Sequence, residues 1–195
     1  MYITADRPQH SAVTHWKTLW FLAGSVGLAV QLAHAQTAPL DADVPAHNRP
    51  KQEKPPPRPA AADAEAKARV LFDAIVRDEP QAAAGVFFPR AAFLLGKDIR
   101  DPGRYYDRLQ RRFESDVHAL HGRLRDPKSA EFVRFELANR GGFVREREEG
   151  NRLPYWASRH SWLHFRDAGK AERFEVRVLI TWDDRWYVIH LNEFR

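Results

Sequence analysis

Two rhythms divide the chain. Before about residue 126 the apolar positions recur every three or four residues; from Glu131 onward they recur every second residue. The stretch DAEAKARVLFDAIVRDEP, beginning at Asp63, starts acidic, sets Val70, Leu71, Ala74 and Ile75 on one face and stops at Pro80. That predicts an amphipathic helix. QAAAGVFFP predicts a short helical turn that buries Val86, Phe87 and Phe88, whereas RAAFLLGKDI is too short an apolar run for its period to assign. The strongest helix is DPGRYYDRLQRRFESDVHALHGRLRD. Asp101 is placed to cap it, Pro102 suits its first turn, and Tyr106, Leu109, Phe113, Val117, Leu120 and Leu124 form one stripe.

Beyond Pro127 the alternation predicts strands. EFVRFELA, 131 to 138, sets Val133, Phe135 and Leu137 on one side, and the pair Gly141-Gly142 predicts a turn. FVRERE, 143 to 148, reads as a polar strand near an edge, and YWASRHSWLHFR, 155 to 166, as a long strand ending at the turn DAGK. The closing stretch RFEVRVLITWDDRWYVIHL predicts a hairpin about Asp183-Asp184. Its register pairs Ile180 with Tyr187, Val178 with Ile189 and Val176 with Leu191, all facing the helices. The other face then carries Arg177, Leu179, Thr181, Trp186, Val188 and His190.

Helices followed by antiparallel strands define an α+β class. The early helix around Val70 to Ile75, the long helix around Tyr106 to Leu124 and the closing hairpin FEVRVLITWDDRWYVIHL together resemble the layout of the nuclear transport factor 2-like superfamily. The resemblance is one of layout over most of residues 62 to 195, without a signature motif. It implies a cone-like fold: N-terminal helices packed on a curved antiparallel sheet, with a pocket at the open end. Functions in that superfamily run from catalysis to protein binding, so the resemblance does not by itself imply an activity.

The N-terminus changes where this domain is expected to be found. Lys17 precedes the apolar run LWFLAGSVGLAV, which ends in AHAQ with alanines at 33 and 35. A basic flank, a short apolar core and an A-x-A site predict a signal peptide over residues 1–35, cleaved after Ala35, and hence a periplasmic or extracellular protein. The following residues 36–61 hold seven of the 13 prolines and predict a disordered, Pro-rich linker whose removal leaves stability unchanged. Residues 62–195 are left as a single α+β domain. The sequence contains no cysteine, which excludes disulfides, thiol catalysis and thiolate metal sites. A net charge of +5 with acidic and basic residues interleaved argues against nucleic acid as a partner.

Candidate chemistry falls into three groups. Asp116 lies at the edge of the long helix's apolar stripe, where partial desolvation suits a general base, and Tyr105 beside it is a hydrogen-bond donor for a substrate oxygen. Glu114, His118 and His121 share a helix face at a spacing that can hold a divalent metal, although that face points to solvent. His160, Trp162 and His164 alternate on one side of a strand. With Trp156, and with Trp186 and His190 from the closing hairpin, they offer an aromatic surface for an apolar or carbohydrate ligand. There is no G-x-S-x-G, P-loop, dinucleotide fingerprint or H-E-x-x-H, and no cofactor is expected. The leading expectation is an exported, non-catalytic domain binding a small ligand or an envelope protein. A pocket enzyme of isomerase, dehydratase or hydrolase type and a structural envelope protein are the alternatives.

Overall fold

The structure is a computed structural model that describes residues 43–192; the signal-peptide expectation therefore lies outside the described residues. Three helices, α1 (Ala61–Arg77), α2 (Arg90–Gly96) and α3 (Pro102–His121), precede five antiparallel strands. The strands are β1 (Glu131–Glu136), β2 (Gly141–Val144), β3 (Tyr155–Asp167), β4 (Lys170–Trp182) and β5 (Arg185–His190). The α+β class read from the sequence is the class observed. Strand order is β1-β3-β4-β5, with β2 also paired to β3, so the 13-residue β3 carries both short strands. No helix among the described residues is long and apolar enough to cross a membrane.

Local sequence accounts for the element ends. Asp101 accepts a hydrogen bond from the Arg104 N–H at 3.0 Å and caps α3, and Pro102 occupies its first turn. Tyr106, Leu109, Phe113, Val117 and Leu120 are its buried stripe, as the spacing predicts. RAAFLLG, which periodicity left unassigned, is α2, and it buries Ala92 and Phe93. Both long hairpins turn on two residues with positive φ, Ala168-Gly169 and Asp183-Asp184. That is the turn geometry whose twist matches the strands. Gly141 (φ +120°) and Gly142 (φ +94°) begin β2 rather than forming a separate turn. A Cβ on Gly141 would stand 2.5 Å from the Ala157 carbonyl oxygen, so only glycine lets the strands approach there.

Three apolar assignments are corrected. Val70 is exposed; α1 instead buries Ala64, Ala68, Leu71, Phe72, Ala74 and Ile75. Val133 is exposed because β1 bulges between Phe132 and Arg134, which frees Phe132 to meet Phe72 at 6.0 Å while Phe135 stays buried. In the closing hairpin Ile180 pairs with Tyr187 as predicted, but a bulge follows Leu179↔Val188 and sets Val178 opposite His190. His190 thereby moves to the face of Val178 and Ile180, away from Trp186, which pairs with Thr181.

Both faces of that hairpin are covered. Leu179, Trp186 and Val188 converge with Ala64, Ala68 and Leu71 of α1, while Val178, Ile180 and Ile189 meet Phe93 and Leu109 of α2 and α3. The outer edge of β5 is met by the segment Val86–Phe88. Phe88 N–H donates to the Val188 carbonyl and Val188 N–H to the Val86 carbonyl, both at 3.0 Å. This parallel bridge protects an edge that would otherwise template pairing with another chain.

Residues 43–60, expected as part of a disordered linker, lie against the domain and belong to the same compact unit as the helices and strands. Val44 and Asn48 are buried. The Asn48 side chain donates to the carbonyls of Pro154 (2.9 Å) and Thr181 (3.4 Å) and accepts from the Asp183 N–H (3.0 Å), clamping the tip of the β4–β5 hairpin. Beyond Val44 and its prolines the segment has no aliphatic side chain larger than alanine and no phenylalanine, tyrosine or tryptophan, so composition alone reads as disorder; its attachment is largely through polar groups that composition does not reveal. Asn48→Ala leaves three backbone groups without their partner and is expected to cost about 2 kcal/mol, read by urea unfolding. An unchanged midpoint would show the clamp to be idle.

Candidate functional site

Three strands bring one row of side chains together. Arg159 of β3 is opposite Val178 of β4, and Val178 is opposite His190 of β5, so the three lie side by side on one face. Above them, α2 ends at Gly96 and delivers Lys97, and the first turn of α3 delivers Tyr105. Between these elements lies a cavity of about 190 Å³, lined by Lys97, Tyr105, Glu149, Tyr155, Arg159 and His190 over Phe93, Leu109, Val178, Ile180 and Ile189. At ~30 Å³ per water in the liquid this is room for about six waters, the size of a small organic molecule.

The polar rim is wired together. Arg159 Nη2 donates to Glu149 Oε1 at 2.5 Å, and the Tyr155 hydroxyl donates to Glu149 Oε2 at 3.1 Å while accepting from Asn151 Nδ2 at 2.9 Å. Lys97 Nζ donates to the Glu149 carbonyl at 3.1 Å. Burial pushes the Tyr155 phenol up, helped by the neighbouring Glu149 carboxylate, so it remains a neutral donor. Burial lowers Lys97, an effect that Glu149 partly offsets. His190 is lowered to about 4, first by burial and then by the positive charges of Arg112, Lys97, Arg159 and Arg177. At neutral pH its imidazole is therefore uncharged. One carboxylate faces two cations in the lining, so the cavity carries a net positive charge.

Tyr105 also lines a wider, open groove of about 510 Å³ with Arg100, Arg104 and Arg108. The Arg108 guanidinium lies 4.8 Å from the centre of the Tyr105 ring. The groove and the cavity thus meet at one residue, with more positive charge outside than in. A neighbouring crevice beside Asn48 and Trp182 is about 20 Å³ and admits little more than a water.

The structure sorts the candidates drawn from the sequence. Tyr105 and His190 line the cavity, His190 only because the bulge reverses its predicted face. Asp116 is half-buried on α3 and is not among the residues lining it. The proposed metal group is dispersed. His118 Nδ1 contacts Asp78 at 2.6 Å, His121 Nδ1 meets the Ile75 carbonyl at 2.9 Å, and Glu114 accepts from Gln110 at 3.2 Å. Among the described residues no group of three metal-ligating side chains forms.

The aromatic surface is also taken apart. His160 pairs with Glu175, His164 Nε2 with Glu136 at 3.0 Å, and the Trp162 ring lies 3.9 Å below the Arg173 guanidinium, all on the solvent side of β3. Trp186 is fully buried and is a core residue. Trp156 is half-buried against Phe143 and donates its indole N–H to the Pro56 carbonyl at 3.1 Å. Sequence reasoning missed Lys97, Glu149 and Arg159. A signal for Arg159 was present: it shares the parity of Tyr155 and Ala157, which are buried. A charge there needs a reason.

The fold and the cavity define an α+β domain with a small, net-positive pocket. No family model, curated protein or solved structure matches the chain.

Proposed function

We propose that the chain is an exported, non-catalytic binding domain whose cavity takes a small organic monocarboxylate, on a layout kin to the nuclear transport factor 2-like superfamily. The observation that carries the ligand class is the cavity itself: an apolar floor under Lys97 and Arg159, with a single carboxylate, Glu149, set against them. A carboxylate fits between the cations and a short apolar tail fits over Phe93, Leu109 and Ile189. The arginines of the adjoining groove raise the local concentration of anions at its mouth. Export rests on the basic-flanked apolar run and the A-H-A site ahead of Gln36.

Calorimetric titration with short straight-chain and aromatic monocarboxylates, against the corresponding neutral amides, tests the reading. Acids are expected to bind and amides are not, and Lys97→Ala or Arg159→Ala should weaken the acids about tenfold or more, the loss of one charge-assisted bond. Equal binding of amide and acid, or indifference to both substitutions, rejects it. One observation favours a second reading, the pocket enzyme: His190 is an uncharged imidazole in the lining of the cavity that Tyr105 also lines. In deuterated buffer, α-keto acids in the same panel would then gain deuterium with the native protein and not with His190→Gln.

A further inference from the structure

The proline-rich segment meets the domain in a specific manner. Pro56 and Pro59 are three residues apart, one full turn of a polyproline II helix, so their carbonyls point the same way. Each accepts a hydrogen bond from a tryptophan indole: Trp156 Nε1 to Pro56 at 3.1 Å and Trp186 Nε1 to Pro59 at 3.2 Å. Ala60, next in the chain, has φ −62° and ψ 144°, within the same conformation. Between the two prolines, Arg58 Nη1 donates to Asn139 Oδ1 at 2.6 Å and Nη2 to the Ala138 carbonyl at 2.8 Å, while its guanidinium lies 5.2 Å from the centre of the Trp186 ring. The receiving side is built. Ser158 Oγ donates to the Ala138 carbonyl at 2.7 Å, and Ser161 Oγ accepts from the Ala138 N–H at 3.1 Å, so two buried serines hold the backbone of Ala138 in place, one at each polar group.

Indole donors to prolyl carbonyls, with an arginine fixed beside them, are the elements by which aromatic grooves read proline-rich ligands. We infer that Trp156, Asn139 and the Ala138 carbonyl form a recognition site for a polyproline II segment bearing an arginine, and that residues 55–58 occupy it as an internal ligand that such a segment from another protein displaces.

Two features make the internal ligand displaceable. Glu53, Lys54, Pro55 and Pro57 are exposed, so the segment buries little apart from Pro59, which stays with α1 when the rest departs. Arg58 Nε is buried with no hydrogen-bond partner, a cost that the internal contact carries and a freely positioned ligand avoids. Tethering nonetheless gives residues 55–58 an effective concentration of order millimolar, so the site is masked until the segment is weakened or outcompeted.

The test uses the full chain and a blocked peptide, QEKPPPR, with the indole N–H resonances of Trp156 and Trp186 as readouts. In a Pro56→Gly/Arg58→Ala chain the Trp156 resonance is expected to move from its native position and to return as peptide is added, with a dissociation constant at least about tenfold below that for the unsubstituted chain. The peptide with alanine for arginine should not restore it, and adding Trp156→Phe should abolish binding. No shift in the folded double variant up to about 2 mM peptide overturns the inference and makes the segment a fixed part of the domain. So does equal binding of the alanine peptide, or binding indifferent to Trp156→Phe. If the double variant does not fold, Arg58→Ala alone enters the same titration with the same outcomes.

Discussion

Trp186→Ala is expected to be the most damaging single substitution in the closing hairpin. Trp186 is fully buried, and its removal empties the space between β5 and α1 that Ala64, Ala68 and Leu71 also border. Those partners are small or on a rigid helix, so the gap cannot close by side-chain adjustment alone. Polar losses add to this. The indole holds the Pro59 carbonyl at the entry to α1, and the backbone of the same residue accepts from Lys67 Nζ at 2.5 Å and donates to Asp63 Oδ2 at 2.8 Å. The backbone contacts survive in principle but depend on α1 keeping its distance from β5. Truncating a buried tryptophan costs about 3–5 kcal/mol, a large share of the stability of a domain this size. The melting temperature should fall by about 10 °C or more, and the urea midpoint should move with it. Trp162→Ala, on the solvent side of β3 under Arg173, is the control and should cost about 1 kcal/mol or less. If the two losses are comparable, the tryptophan at 186 is not the wedge between α1 and the sheet.

The parts of this fold that the sequence disclosed are those where one local rule acts alone. The α3 stripe from Tyr106 to Leu120 and its Asp101 cap follow from helical spacing and capping chemistry, and the turn at Asp183-Asp184 from hairpin geometry. What it did not disclose arises where two chain segments negotiate a position. Val133 and His190 were both misassigned, and for one reason: a β-bulge reverses the alternation that assigns faces, and neither bulge is marked by glycine. That reversal is what puts His190 into the cavity. The other polar cavity residues come from four separate places, Lys97 after α2, Tyr105 on α3, Glu149 in a loop and Tyr155 and Arg159 on β3, and no linear spacing links them. The proline-rich segment was missed on different grounds. Its composition predicts no core of its own, but two indoles, an asparagine and a carbonyl elsewhere in the chain supply the partners that hold it.

Acid should destabilise the protein through His190. The imidazole faces Lys97 from the end of α2, Tyr105 and Arg112 from α3, Glu149 from the loop before β3, Tyr155 and Arg159 from β3, and Arg177 from β4. Burial and four positive charges hold its pKa at about 4 in the folded protein, against about 6.5 in the unfolded chain. At pH 7 the folded protein is unprotonated there and the unfolded chain is only about a quarter protonated, so the group contributes little to the pH dependence. As the pH falls through 6.5 the unfolded chain takes up a proton that the folded protein refuses, so the equilibrium moves toward unfolding. The penalty is complete below pH 4, where both states are protonated. A shift of this size corresponds to about 2 kcal/mol once the partial exposure of the ring is allowed for. His190→Asn keeps a polar side chain of similar reach and cannot titrate. Its stability should therefore fall less than the native protein's between pH 7 and pH 4, by about 2 kcal/mol, in urea unfolding at each pH. All other titratable groups are common to both proteins and cancel in the comparison. A bound monocarboxylate supplies the opposite charge beside the imidazole, so its saturation should raise the histidine's pKa and narrow the gap between the two proteins. Parallel pH curves for native and His190→Asn protein would mean that the imidazole is not enclosed among those cations, and the bulge that turns it inward would have to be discarded.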